Sequence, residues 1–300
     1  MNKQQNEQLN KAKSKIEKRE FGAATDILLK LYDDVDESEV ILLLGKTLFD
    51  DQKYVSASRL VDDNFTEFLQ NDFSLLCDIY LQNHRYLQLG IIANGLDKNE
   101  KAKLLSEIKL SEKSYLEKEP TTIESNAREF MHLGAFDTNK QREVIGEAET
   151  LPLKQYLAGA QLNLLDGDVN PVWRMQLLNN LMRLGFSEKV GFIWIDKQKH
   201  EIIPKNATDV NQTEAYKIMQ KDLEESVGQE DPIKAGQLQV IVNVDLQILF
   251  PYIDQTIKNP TKWLSEIRNR TFGDVSAADD DKDVLKWLSL IDSIMQTLIN

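Results

Sequence analysis

Three aromatic residues, Phe21, Tyr54 and Tyr86, lie 33 and 32 positions apart, and the chain around them repeats in register. Ala24, Ala57 and Leu89 follow each aromatic by three. Ala12, Gly45 and Cys77 precede each by nine, with Leu44 and Leu76 one step before the last two. Leu28, Val61 and Ala93 carry the register onward. No other feature limits the fold so strongly. A unit of this length cannot bury its own apolar face, so it must stack on its neighbours. The residue types describe a helical hairpin. A small residue lets the second helix approach the first closely, the aromatic opens the second helix and fills the hairpin, and a second small or compact residue admits the next neighbour.

A period near 34 with small residue, turn, aromatic and alanine resembles the tetratricopeptide repeat. The resemblance is degenerate. The family's tryptophan position holds Gln8, Ile41 or Phe73, and the closing proline is missing. An unrelated helical hairpin array would predict the same solenoid. Asp97 to Lys118, with Leu104, Leu105, Ile108, Leu110, Tyr115 and Leu116, reads as a polar-backed helix that closes the stack. Glu119-Pro120-Thr121-Thr122 then breaks the chain. The expected domains are residues 1–119 and residues 120–300.

The second domain is expected to be helical as well. Asn170-Pro171, Asp231-Pro232 and Asn259-Pro260 each offer an N-cap followed by proline at the first helical position, and Leu151-Pro152 precedes another helix. Thr138 with Gln141 matches a capping box. The segments these signals open, and the last segment from Val284 to Leu298, carry apolar residues three and four apart. One stretch differs. Val190 to Ile195 is rich in β-formers, Asp196 to Lys199 is a polar turn, and His200 to Ile203 returns before Pro204. That pattern predicts a β-hairpin, which must lie against helices to be stable. The fold class is therefore mostly α: a tetratricopeptide-like α-solenoid followed by a helical domain with one small β-hairpin.

Phe130-x-x-Leu133-Gly134, Leu151-Pro152-Leu153, Asn170-Pro171, Leu184-Gly185, the hairpin with Trp194, and Phe250-Pro251 together resemble an uncharacterised bacterial family. Its members, mainly Gram-positive, join degenerate tetratricopeptide repeats to a helical C-terminal domain. The resemblance implies the architecture. It brings no catalytic residues to transfer.

Charge narrows the partners. The formal net charge is -13. Residues 1–119 hold 17 bases and 22 acids, and the rest of the chain is acidic too. Nucleic-acid binding needs a basic stripe, and neither half has one. The basic run Lys11, Lys13, Lys15, Lys18 and Arg19 is interleaved with Glu17 and Glu20 and reads as a solvated helix face. The acidic clusters at residues 33–37, 50–51 and 62–63 are expected to serve solubility and N-terminal capping. No apolar run is long enough to span a membrane. The polar N-terminal segment and the single cysteine favour a cytoplasmic chain without disulfides.

Catalytic motifs are missing. Gly45-Lys46-Thr47 ends like a phosphate-binding loop, but the required earlier glycine is Val40. His84, His132, His200 and Cys77 are scattered, with no metal-ligand spacing. Cys77 belongs to the small-residue column and reads as core. His84 and His132 read as surface or capping residues. Asp274 to Asp283 lacks the spaced oxygens of a calcium loop and reads as a flexible linker whose last acids cap the final helix. No catalytic residue, metal or cofactor is expected.

Two readings of function follow. The first is a non-catalytic scaffold or adaptor that binds a protein or peptide on the concave face of the repeats. Its contact positions are Leu9, Lys13 and Ile16 in the first repeat, Leu42, Lys46 and Phe49 in the second, and Ser74, Asp78 and Leu81 in the third. Lys13 and Lys46 share one repeat position, and Asp78 breaks the pattern there, against a two-carboxylate clamp. The second reading is an enzyme or small-molecule sensor with a pocket between repeats and C-terminal domain, lined by Trp173, Trp194, Trp263 and Trp287 unless these are core. The sequence leaves a homo-oligomer open.

Overall fold

The computed structural model describes residues 1–228, 231–273 and 281–298. Helix dominates it, and one two-stranded antiparallel sheet is the only sheet among the described residues. The chain forms two compact units, Met1–Lys118 and Glu119–Asn300.

The first unit is an array of helical hairpins. α1 (Lys3–Glu17) pairs with α2 (Phe21–Asp34), and α3 (Ser38–Asp50) pairs with α4 (Tyr54–Asp63). A short α5 (Phe65–Asn71) follows, then α6 (Phe73–Gln82) pairs with α7 (Tyr86–Gly95), and α8 (Lys98–Lys118) packs on α7. The repeat columns are the core. Ala12, Ala24, Ala57, Leu89, Leu28, Val61 and Ala93 are all fully buried, and Cys77 nearly so. Of the aromatics, Tyr86 is fully buried, whereas Phe21 and Tyr54 are half-buried.

Each hairpin turns the same way. Arg19, Gln52 and His84, two residues before their aromatics, adopt left-handed φ values of 58°, 59° and 55°. In each turn the left-handed amide bonds to the carbonyl three residues back, and the next amide reaches five back: Gln52 N to Phe49 O and Lys53 N to Leu48 O, with matching pairs at the other two turns. This is the Schellman closure of a helix. Glycine is its usual occupant, and none of the three positions carries one.

Side chains then tie one hairpin to the next. Asn64 Nδ2 donates to the Tyr32 hydroxyl, Tyr80 Oη donates to Asp62 Oδ1 at 2.7 Å, and Asn83 Nδ2 donates to the Tyr54 carbonyl. The acidic clusters differ from expectation. Asp33 and Asp34 end α2, Asp50 ends α3, and Asp62 and Asp63 end α4. They cap no helix N-terminus, and Asp62 accepts its cross-hairpin bond instead.

The small residue Gly45 also has another partner than the hairpin reading supplied. A Cβ built on Gly45 would lie 2.6 Å from Cζ of Phe68, on α5. The missing side chain seats that ring, which is fully buried, and only then the neighbouring helix α4 through Leu60.

The second unit begins with α9 (Pro120–Met131), α10 (Thr138–Ala148), α11 (Leu153–Asn163) and α12 (Pro171–Arg183). β1 (Val190–Ile193) pairs with β2 (Lys199–Ile202) in the register Val190 to Ile202 and Ile193 to Lys199. α13 (Glu214–Asp222), α14 (Pro232–Leu249), α15 (Ile253–Thr256), α16 (Pro260–Phe272) and α17 (Lys282–Gln296) complete it. Asn170, Asp231 and Asn259 cap their proline-opened helices through side-chain oxygens, as the sequence predicts. Thr138 does not cap. Asp137 accepts the Lys140 amide at 2.9 Å instead, because it stands one residue outside the helix with extended backbone. That releases Gln141, which is buried. It donates to the carbonyls of Phe136 and Asp168 and accepts the Asn170 amide. Residues 274–280 of the acidic stretch lie outside the described residues. Asp281 caps α17.

The hairpin is held against the helices. Ile193 N donates to the Leu164 carbonyl, and Trp194 Nε1 donates to the Phe250 carbonyl at 3.1 Å. Arg174, only 3% exposed, braces the same region. Its guanidinium donates to the carbonyls of Asp166, Gly167, Val169 and Ile193. Burial pulls its pKa downward, but the carbonyls satisfy its donors without a paired carboxylate.

Gly45→Ala tests the Phe68 seat. On an open helix face this change would stabilise by about 1 kcal/mol. Here the methyl meets the ring, and a net loss of about 1–3 kcal/mol is expected in urea unfolding. Adding Phe68→Leu should recover part of it. A more stable single variant would show that the ring does not fill the site.

Candidate functional site: the first-helix face and a cavity

The nine positions singled out in the first helices separate into three groups. Leu9 is 3% exposed and belongs to the core of the first hairpin, so it offers no surface to a partner. Ile16, Leu42, Phe49 and Leu81 are half-buried, and Lys46, Ser74 and Asp78 are exposed. Lys13 is half-buried and committed, with Nζ donating to Glu39 Oε1 at 2.6 Å. That ion pair joins α1 to α3.

Lys46 has a different environment from Lys13 although it shares the repeat position. It makes no hydrogen bond or ion pair among the described residues. Leu42 stands one turn before it and Phe49 nearly one turn after. The Phe49 ring meets Tyr54 edge-on, with centroids 5.4 Å apart. Asp78 is held above the usual carboxylate range by partial burial first, then by Glu107 and Asp72. The first-helix positions thus run from a neutralised lysine through a free one to an acidic cluster.

Sequence reasoning missed α5, which packs against α3, α4 and α6. The signal was present as Phe65, Phe68 and Leu69, three and four apart, and as the shortening of the period from 33 to 32. The closing helix also departs from expectation. Leu104 and Ile108 are buried, but Leu105, Leu110 and Leu116 are exposed, Leu110 by 67%. Tyr115 stacks on His84 with centroids 3.7 Å apart.

The other candidates for chemistry stay apart. His84 contacts the Tyr86 hydroxyl at 3.0 Å, and His200 contacts Asp196 within the β-hairpin. His132 is exposed at the end of α9. No group of three or more His, Cys, Asp or Glu side chains is placed to hold a metal among the described residues. No helix among them is long and apolar enough to cross a membrane.

Trp194 and Trp287 lie 5.5 Å apart, Trp173 is near Arg142, and Trp263 is 1% exposed. A cavity of about 380 Å³ does exist within the second unit, between α14, α16 and α17. It is lined mainly by aliphatic side chains, with Asp245, Arg270 and Asp292. None of the four tryptophans lines it, but Trp263 Nε1 donates to Asp245 Oδ2 at 3.0 Å.

No family model, curated protein or solved structure matches the chain.

Cys77 gives a direct check of the third hairpin. Burial, with Glu107 and Asp78 adding to it, pushes the thiol up to about 12. A thiol reagent should therefore label it slowly in the native protein and fast in denaturant, since the thiolate is the reactive form. Fast native labelling would place Cys77 at the surface.

Proposed function

We propose that this chain is a non-catalytic adaptor whose repeats are tetratricopeptide-like and bind an extended protein segment on the face of the first helices. One observation carries the reading. On α3, the unpaired and exposed Lys46 stands between half-exposed Leu42 and Phe49. An apolar pair around an uncommitted cation suits an acidic or carboxylate-bearing peptide. Binding energy in such surfaces concentrates in a few central residues, aromatic ones especially. The helical hairpin stack supports the reading because it holds these side chains on rigid elements. The dispersed histidines support a non-catalytic role. The acidity of both halves argues for a protein partner rather than nucleic acid or an anionic membrane. A cytoplasmic compartment belongs to the same proposal and rests on the single, buried and unpaired cysteine.

Short random peptides displayed on phage and panned on the full chain test this. Selected peptides should bind Lys46→Glu at least tenfold more weakly than wild type, about 1.4 kcal/mol. Melting should be nearly unchanged, because an exposed lysine contributes little to folding. Phe49→Ala should weaken binding further and lower stability as well, through the lost Tyr54 contact. Peptides that bind wild type and Lys46→Glu equally would remove this face from the account.

A further inference from the structure

The cavity between α14, α16 and α17 has a composition that packing alone does not require. Val240, Ile241, Val244, Leu288, Ile291 and Met295 make most of its wall. Its volume, about 380 Å³, falls in the roughly 300–1,000 Å³ range of small-ligand sites. Into this wall the chain sets a buried carboxylate. Asp245 is 4% exposed. Its Oδ2 accepts from the Trp263 indole, and its Oδ1 makes no hydrogen bond among the described residues.

No cation forms an ion pair with that carboxylate among the described residues. Arg270 lines the cavity, but its Nη1 donates to Asp292 Oδ2 at 2.8 Å and its Nε to Glu266 Oε1 at 3.1 Å. Among the charged residues of the lining, two are acids and one is a base, so the lining carries a net negative charge. Leaving a carboxylate in an apolar wall with one neutral donor is costly. The same helix could carry leucine there at no such cost. Burial holds the carboxyl up at about 7, and Asp292 pushes in the same direction, while the Trp263 hydrogen bond and Arg270 oppose them.

We propose that this cavity binds a small organic cation: a primary or secondary ammonium on a compact apolar body. The ammonium donates to Asp245 Oδ1 and neutralises the buried charge, and the body covers the aliphatic wall. A neutral hydrogen-bond donor of the same shape would fill the wall and leave the charge unanswered. An anion would meet both Asp245 and Asp292. This site is independent of the peptide face of the repeats, and either can fail without the other.

Three probes with one body separate the possibilities: phenethylamine, phenethyl alcohol and hydrocinnamate. Each is titrated into the full chain at a pH above the titration of Asp245. The readouts are calorimetry and the indole N–H resonance of Trp263, which reports on the Asp245 carboxylate itself. The amine should bind and shift that resonance. The alcohol should bind at least tenfold more weakly, and the acid should not bind. Asp245→Asn keeps an acceptor for Trp263 and should abolish the preference for the amine. Equal affinity for amine and alcohol in wild type would overturn the proposal, whether or not the variant folds. So would a Trp263 resonance that no probe moves.

Discussion

The seat of the Phe68 ring against the bare backbone of Gly45 is the contact on which the first unit turns. Helices can approach this closely only where a side chain is missing or very small. Gly45 lets a phenyl ring lie where a methyl would clash. The ring belongs to α5, and α5 contacts α3, α4 and α6, so one glycine positions the link between the second and third hairpins. Ala12, Ala24 and Ala57 serve the same purpose at their own contacts, with no exposed surface at all. The hydrogen bonds between hairpins then fix the register that packing has already selected. Asp62 is exposed, but the donors Tyr80, Asn64 and Asn83 are buried or half-buried, so losing an acceptor would leave them unsatisfied.

The periodic parts of the fold were legible because their physics is local or repeated. Proline after asparagine or aspartate marks a helix start wherever it occurs, and three such starts in the second unit are capped as expected. The β-hairpin was visible from β-branched and aromatic residues around a polar turn. Other elements depend on partners distant in sequence. Gln141 looks like half of a capping box until the loop at Asp168 and Asn170 folds over it. Arg174 looks like an ordinary helical arginine, yet it gathers carbonyls from the loop at Asp166 to Val169 and from the end of β1. The three left-handed turn residues were hidden for another reason: arginine, glutamine and histidine occupy positions where glycine would have announced the turn.

The candidate sites were legible to different degrees. The repeat register singled out Lys46, Leu42 and Phe49, of which the first is exposed and the other two half-buried, whereas Leu9 from the same register is core. Register identifies a face only to within one residue of a helical turn. Nothing in the sequence pointed to Asp245, one of 49 acids. Its significance comes from burial beside aliphatic side chains on three helices, and that is a property of the assembled unit. The two sites also differ in what they ask of the fold. An exposed lysine costs almost nothing to keep. A buried carboxylate without a cation destabilises the native state.

The central claim is that the hairpins stack through a column of residues too small to replace. Ala57 tests it most directly, because it is fully buried in α4 and belongs to that column. Urea unfolding of Ala57→Trp should show a loss of at least about 1–3 kcal/mol, since a well-packed contact has no room for an indole. A variant as stable as wild type would mean that the helices do not approach closely at Ala57, and the repeat register would be wrong.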